Sequence, residues 1–326
     1  MDKKNCEPID WKNYFKHQIF IEENKLPIYY TGEEGPNLIC LHGAGHSALS
    51  FSLLAEMSKN FRVISFDFRG HGFNTIQPEN DLSIETLISE TEKVLLEINR
   101  LFPDETMIIL GHSLGGAVAT KAVCHILKSE FNKDLYDKIQ GVIIIDVIEG
   151  SAMEALPFMM NVVNKRENNF DSINSAIYYM SHTQIRNLES CRISIPPLLK
   201  EAVNEKGEKV YQWKTDLVSS EKYWPNWYKN LSYDFLSIRT PKALILTDTN
   251  ELDTPLTIGH MEGKFKLVVI KGTGHFIQED DPKALIENIQ DFINVFKIPR
   301  KMEDIHLIQS KLGNQVKIQK YIEFKG

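Results

Sequence analysis

"MIILGHSLGGAVAT", residues 107–120, runs a short apolar stretch into Gly111, His112 and Ser113, and then into the pair Gly115-Gly116. Glycine weakens strand interiors and helix starts alike. The stretch therefore reads as a buried strand, a sharp turn and a helix, with Ser113 at the turn. Gly111-His112-Ser113-Leu114-Gly115 is a G-x-S-x-G pattern in the strand-to-helix setting that gives it chemical meaning. The glycines admit a turn too tight for a Cβ. The serine is held strained and exposed at the top of the sheet, where the helix N-terminus behind it favours developing negative charge.

A serine hydroxyl attacks only when a base takes its proton, and the base needs an orienting carboxylate. "VVIKGTGHFIQED" supplies His275 on a glycine-rich loop just past a strand. The carboxylate is open on spacing alone. Asp146 ends "GVIIID", the strand after that of Ser113, while Asp248 and Asp253 lie in "LILTDTNELD" after the next one. Each choice keeps the order serine, aspartate, histidine known for this nucleophile turn. The oxyanion needs two backbone amides: Leu114, directly after the nucleophile, and Ala44 in the turn of "LHGAGHSALS", where Gly43 lets backbone approach a substrate.

Outward from this centre, apolar β-branched runs recur as "NLICLH", "RVISFDF", "GVIIIDV", "KALILTD" and "KLVVIKG", with "IFIEENKLPIYY" resembling a hairpin ahead of them. Continuously apolar strands alternating with helical segments point to a wound α/β sheet, mostly parallel and buried on both faces. The rhythm breaks between residues 148 and 240, which read as helices without intervening strands, with an exposed turn in "VNEKGEKVYQW". The expected organisation is an N-terminal segment 1–15 and a single domain 16–326. That domain holds a cap insertion at about 149–240, a final amphipathic helix in "DPKALIENIQDFINVF" and a tail 299–326.

Bulk properties narrow the function. The 326 residues carry a net charge of −7, which offers no electrostatic footprint for nucleic acid. No apolar run approaches the roughly 20 residues that span a bilayer, and the opening "MDKKNCEPIDWKNYF" lacks the pattern of a secretory signal. Four scattered cysteines fit a reducing compartment, so a cytoplasmic or nuclear location is expected. Two rivals are weaker. Residues 43–48 imitate a dinucleotide fingerprint, with Asp67 on the next strand, but His42 leads the turn and a second glycine turn follows Asp67. His42, His46, Asp67, His71 and His112 could suggest a metal, yet no helix carries a ligand pair. His71 and His112 are expected to bond loop backbone, and no cofactor or metal is expected. The aromatics of "KYWPNWY" are expected to pack the core or the cap rather than to form a partner surface.

These residues resemble one family, the protein phosphatase methylesterases of the α/β-hydrolase fold. The likeness runs from about Pro36 to Phe296 through "HGAGHSALSF", "GHSLGGAVA", "IDVIEGSAMEAL", "QIRNLESCRIS", "EKYWPNWYKNLS", "LTIGHMEGKF" and "GTGHFIQED". The resemblance implies removal of the methyl ester from the C-terminal leucine of type 2A protein phosphatase catalytic subunits, those subunits being the protein substrate. It implies Ser113 as nucleophile, His275 as base and Asp146 rather than Asp253 as acid. It also implies a peptide groove that Gly43 and Met261 line. Ala44 stands where the family commonly has glycine, and the loop near Asn204 lacks the acidic insert of animal members. A small-molecule esterase of the same fold, or a phosphatase-binding inhibitor with secondary catalysis, are the alternatives. A methyl leaving group offers few contacts, so selectivity is expected from protein docking, the free enzyme being a weak general esterase that the phosphatase itself completes.

Overall fold

The computed structural model describes residues 5–23, 25–32, 34–129, 133–248 and 252–304. Ten strands form in chain order. They are β1 (His17–Ile21), β2 (Leu26–Tyr30), β3 (Asn37–Leu41), β4 (Arg62–Phe66), β5 (Met107–His112), β6 (Ile139–Ile145), β7 (Leu199–Val203), β8 (Lys209–Trp213), β9 (Lys242–Leu246) and β10 (Lys266–Val269). The first helices are α1 (Ser52–Met57), α2 (Ile84–Leu101), α3 (Leu114–Lys128), α4 (Lys133–Lys138), α5 (Glu149–Lys165) and α6 (Ile173–Thr183). After them come α7 (Leu188–Ser194), α8 (Trp224–Tyr228), α9 (Leu231–Ser237), α10 (Thr254–Met261), α11 (Ile277–Asp280) and α12 (Pro282–Val295). Among the described residues no helix is long and apolar enough to cross a membrane.

Eight strands make one sheet in the order β1-β2-β4-β3-β5-β6-β9-β10. The hairpin β1-β2 joins antiparallel at one edge, and the six strands from β4 to β10 in that order run parallel. The mostly parallel sheet expected from the apolar runs is the one observed. Successive side chains point to opposite faces, so each strand feeds two cores. Ile39, Leu41, Ile64, Ile109, Val142 and Ile144 pack under α2 and α3. Leu38, Cys40, Val63, Ile108, Leu110 and Ile143 face the layer of α1 and α12. Helix α2 buries Leu87, Thr91, Val94, Leu95 and Ile98, a helical spacing that turns one stripe inward. Each fully buried aliphatic side chain contributes about 1.5–3 kcal/mol, which is what holds the strand ends rigid.

The span between β6 and β9 departs from the sequence reading in one respect. Besides helices it holds a two-stranded antiparallel sheet, β7-β8, where helices alone and an exposed turn are expected. The cause lies in the pattern. β7 is largely exposed and β8 buries only Val210, so neither shows apolar alternation. The pair is closed instead by the turn through Asn204 and Gly207, whose φ is +80°. This span has its own small core of Phe170, Ala176, Ile177, Met180, Ile185 and Cys191, which also receives Cys6 from the N-terminal segment and Phe276 from the loop after β10. Of the tail, residues 305–326 lie outside the described residues.

Candidate active site

Ser113 sits between β5 and α3 at φ 52°, ψ −121°, a left-handed conformation that costs a side-chain-bearing residue about 1–3 kcal/mol. The glycines around it are a steric requirement. A Cβ on Gly111 would lie 2.6 Å from the Gly116 Cα, and one on Gly115 would lie 2.5 Å from the Leu41 carbonyl carbon. The strain is held by the sheet, because the Ser113 amide donates to Ile145 O at 3.0 Å. Leu114 heads α3, where first-turn amides have no acceptor within the helix.

Opposite stands the turn after β3. It is closed by the His46 amide donating to Gly43 O at 3.2 Å, with Ala44 partly buried inside it. A Cβ on Gly43 would come 3.3 Å from Ser113 Cβ and 2.9 Å from His112 Nδ1, so backbone alone fits beside the serine. Two histidines pin this turn. Phe68 N donates to His42 Nε2 at 3.0 Å, leaving Nδ1–H of His42 to donate to Gly43 O at 2.8 Å. Gly45 N donates to His71 Nε2 at 2.9 Å, and Nδ1–H of His71 donates to Arg69 O at 2.8 Å. Burial holds both rings below the ordinary histidine range, His71 at about 4, so they stay neutral and accept as these bonds require.

Asp146 follows β6 with φ 51°, its amide donating to Ile245 O at 2.8 Å. Its Oδ2 lies 2.7 Å from His275 Nδ1, and its side chain is 11% exposed against 46% for the histidine. Thr247 N approaches the other oxygen, Oδ1, at 3.3 Å. The carboxylate thus accepts from Nδ1–H and leaves Nε2 of His275 free of the proton, the tautomer a base needs. Asp253 is engaged elsewhere. It caps α10 by accepting from Leu256 N at 3.0 Å, and it accepts the Ser232 hydroxyl at 2.5 Å. Met261, at the end of α10, stands 82% exposed.

The loop carrying His275 is braced from three sides. His112, the neighbour of Ser113, donates from Nε2 to His275 O at 2.8 Å. Asp280 accepts from Gly274 N at 2.6 Å and from Arg186 N at 2.7 Å. Glu279, fully buried, accepts the hydroxyls of Ser190 and Ser194 on α7 at 2.8 and 2.7 Å and faces His46 Nδ1 at 3.4 Å. Sequence reasoning does not find Glu279, Thr247 or Tyr228. The last packs its buried hydroxyl against Ser113; burial pushes it up to about 12, and the serine draws it back in part. A tyrosine in so aromatic a stretch carries no sign of lying near Ser113, and an acidic residue four places after His275 reads as a helix start.

A strained serine between strand and helix, with a histidine–carboxylate pair on the same sheet edge, defines a hydrolase of the α/β class. The family model described as "Alpha/beta hydrolase family" matches residues 38–288. Solved structures agree on the fold. E-2-(acetamidomethylene)succinate hydrolase superposes with a TM-score of 0.68 at 19% identity, covering 85% of this chain and 98% of that one. The thioesterase domain from the curacin biosynthetic pathway gives 0.60 at 20%, covering 84% and 98%. Curated sequences are nearer. The chain is 36% identical to the probable protein phosphatase methylesterase 1 of Caenorhabditis elegans, over 89% of this chain and 78% of that one. It is 37% identical to protein phosphatase methylesterase 1 of Schizosaccharomyces pombe, over 87% and 84%. For the Bos taurus protein of the same name the figures are 34%, 89% and 87%. The chain belongs to the protein phosphatase methylesterase family and is a carboxylic ester hydrolase.

Proposed function

We propose that this enzyme removes the methyl ester from the C-terminal leucine of type 2A protein phosphatase catalytic subunits. In this reading Ser113 is the nucleophile, His275 the base and Asp146 the acid. The observation that carries the roles is the 2.7 Å contact of His275 Nδ1 with Asp146 Oδ2 on the loop tied by His112 to the strained serine. His275 takes the Ser113 proton as the oxygen attacks the ester carbonyl. The amides of Leu114 and Ala44 stabilise the tetrahedral oxyanion, each worth about 3 kcal/mol in the transition state. The protonated imidazole then gives its proton to the departing methoxide, and methanol leaves. Water attacks the acyl-enzyme by the same route in reverse and frees the carboxylate.

A protein substrate is supported by what surrounds this centre. Helix α5 begins three residues after Asp146 and leaves Phe158 67% and Val162 66% exposed. The organisation that goes with this reading is one hydrolase domain, 16–326, preceded by the segment 1–15. Residues 149–240 form its cap, and Gly43 and Met261 line the groove. A cytoplasmic or nuclear site of action fits the four free, buried cysteines. The test is methyl release from a purified, methylated phosphatase catalytic subunit by wild type and Ser113→Ala side by side. Loss of release with retained binding is expected, and equal release by both proteins ends the proposal.

A further inference from the structure

Beside the oxyanion turn lies a cavity of about 340 Å³ between the end of α5 and strand β8. Arg166 caps α5 there, its guanidinium stacked on the Trp213 ring at 3.5 Å. Its Nε is buried with no hydrogen-bond partner, and among the described residues no carboxylate pairs with it. Burial lowers the group to about 10, so it stays charged at neutral pH. Lys200 and Lys214 line the same cavity, with Asp216 as the acidic member. Its unpaired Nε gains from an acceptor placed in the cavity, because a buried donor without a partner keeps its desolvation penalty. A planar fork held flat by an indole and aimed at an open space is the arrangement that receives a carboxylate or phosphoryl group.

The cavity adjoins the chemistry. A Cβ on Gly45 would meet Leu217, which also lines the cavity, at 3.1 Å and Arg166 Nη1 at 3.6 Å. The hairpin end is locked to the body, since Lys214 Nζ donates to Gly72 O at 2.5 Å and the Thr215 hydroxyl to Gly70 O at 2.8 Å. Gly45 is two residues from Gly43, which abuts Ser113, and two residues span at most about 7 Å. The guanidinium therefore stands within about 15 Å of the serine, a reach of up to about four residues of extended chain at 3.3–3.6 Å each.

We infer that this cavity is an anion subsite, in which Arg166 with Lys200 receives an acidic side chain of the substrate tail, within about four positions of the esterified residue. The inference rests on the peptide-ester reading above and names the substrate feature that reading leaves open. It explains how an enzyme that cuts so small a group selects among esterified chain ends.

The test measures binding, so that it stands apart from turnover. Fluorescent peptides ending in leucine methyl ester, with Glu or Gln placed two, three or four positions upstream, are titrated against Ser113→Ala protein by polarisation. At one position the Glu peptide is expected to bind about ten-fold tighter, the strength of charge-assisted hydrogen bonds. Adding Arg166→Gln abolishes that ratio, Arg166→Lys keeps part of it, and Lys200→Gln weakens it. The ratio is internal to each protein, so a partly unfolded variant still reports it. Equal affinity for Glu and Gln peptides at all three positions overturns the subsite. So does binding of inorganic phosphate at Arg166 without any preference for the acidic peptide. If wild type cleaves no peptide ester, the functional reading falls while the binding ratio still decides the subsite.

Discussion

Replacing Gly115 with alanine sets the turn after β3 against the start of α3. The new Cβ would lie 2.5 Å from the Leu41 carbonyl carbon and 2.7 Å from His42 O, where ordinary contact begins at 3.4 Å. The atoms in the way are backbone. Leu41 is paired with Phe66 on one side and Gly111 on the other, so β3 cannot yield. Helix α3 must instead move away by roughly 1 Å or more. Leu114 travels with the helix while Ala44 stays with the β3 turn, so the two proposed oxyanion donors separate. A misplacement near 1 Å costs about 100-fold in rate, and overpacking costs about 1–3 kcal/mol in stability. We expect kcat on a peptide methyl ester to fall about 100-fold with little change in KM, and the urea midpoint to fall with it. Gly207→Ala is the contrast. Its φ is +80° but nothing lies within 4 Å, so it should cost about 1 kcal/mol and leave kcat alone. Wild-type kcat and stability in Gly115→Ala would refute the geometry on which the oxyanion assignment stands.

Four further outcomes follow from the same contacts. Asp146→Asn should lower kcat by about 10⁴-fold by removing the acceptor that selects the His275 tautomer. Asp253→Ala should cost about 1 kcal/mol of stability as a lost helix cap, with kcat retained, read by paired kinetics and thermal melts. Acid should weaken the fold through His71, held at about 4 against an ordinary 6.5. The unfolded chain takes its proton as pH falls through 6.5 and the folded one only near 4, so about 3 kcal/mol is lost across that window. Asp67, raised by burial to about 6, acts in the opposite direction between about 6 and 3.8. The clean reading is therefore the difference between wild type and His71→Gln, which should shrink from pH 7 to 4 and is tested by urea melts at each pH. Glu279→Ala should cost about 2–5 kcal/mol by leaving the Ser190 and Ser194 hydroxyls unpaired in the interior. An unchanged urea midpoint would show that α7 does not brace the His275 loop.

Much of the framework is local chemistry and therefore legible in one dimension. Strands buried on both faces must be apolar throughout, so "NLICL" and "VIII" announce themselves, and the turn at Ser113 excludes all but glycine at 111 and 115. The hairpin β7-β8 escapes because an exposed pair of strands has no burial pattern to display. The candidate acids show where reading a chain ends. Asp146 follows β6, and Asp248 and Asp253 follow β9; these strands are parallel neighbours whose C-terminal ends share one edge, so spacing treats the acids alike. The fold separates two of them by direction. A left-handed φ at residue 146 turns that carboxylate toward His275, while Asp253 is spent on the first turn of α10 and on Ser232. The same holds for Arg166, Tyr228 and Glu279, whose surroundings come from segments 47, 115 and 85 or more residues away. The strand-turn-helix that holds a serine can be read directly along the chain, because it follows from adjacent residues. Which carboxylate meets His275 was decided by tertiary packing alone, because orientation across space has no signature in spacing.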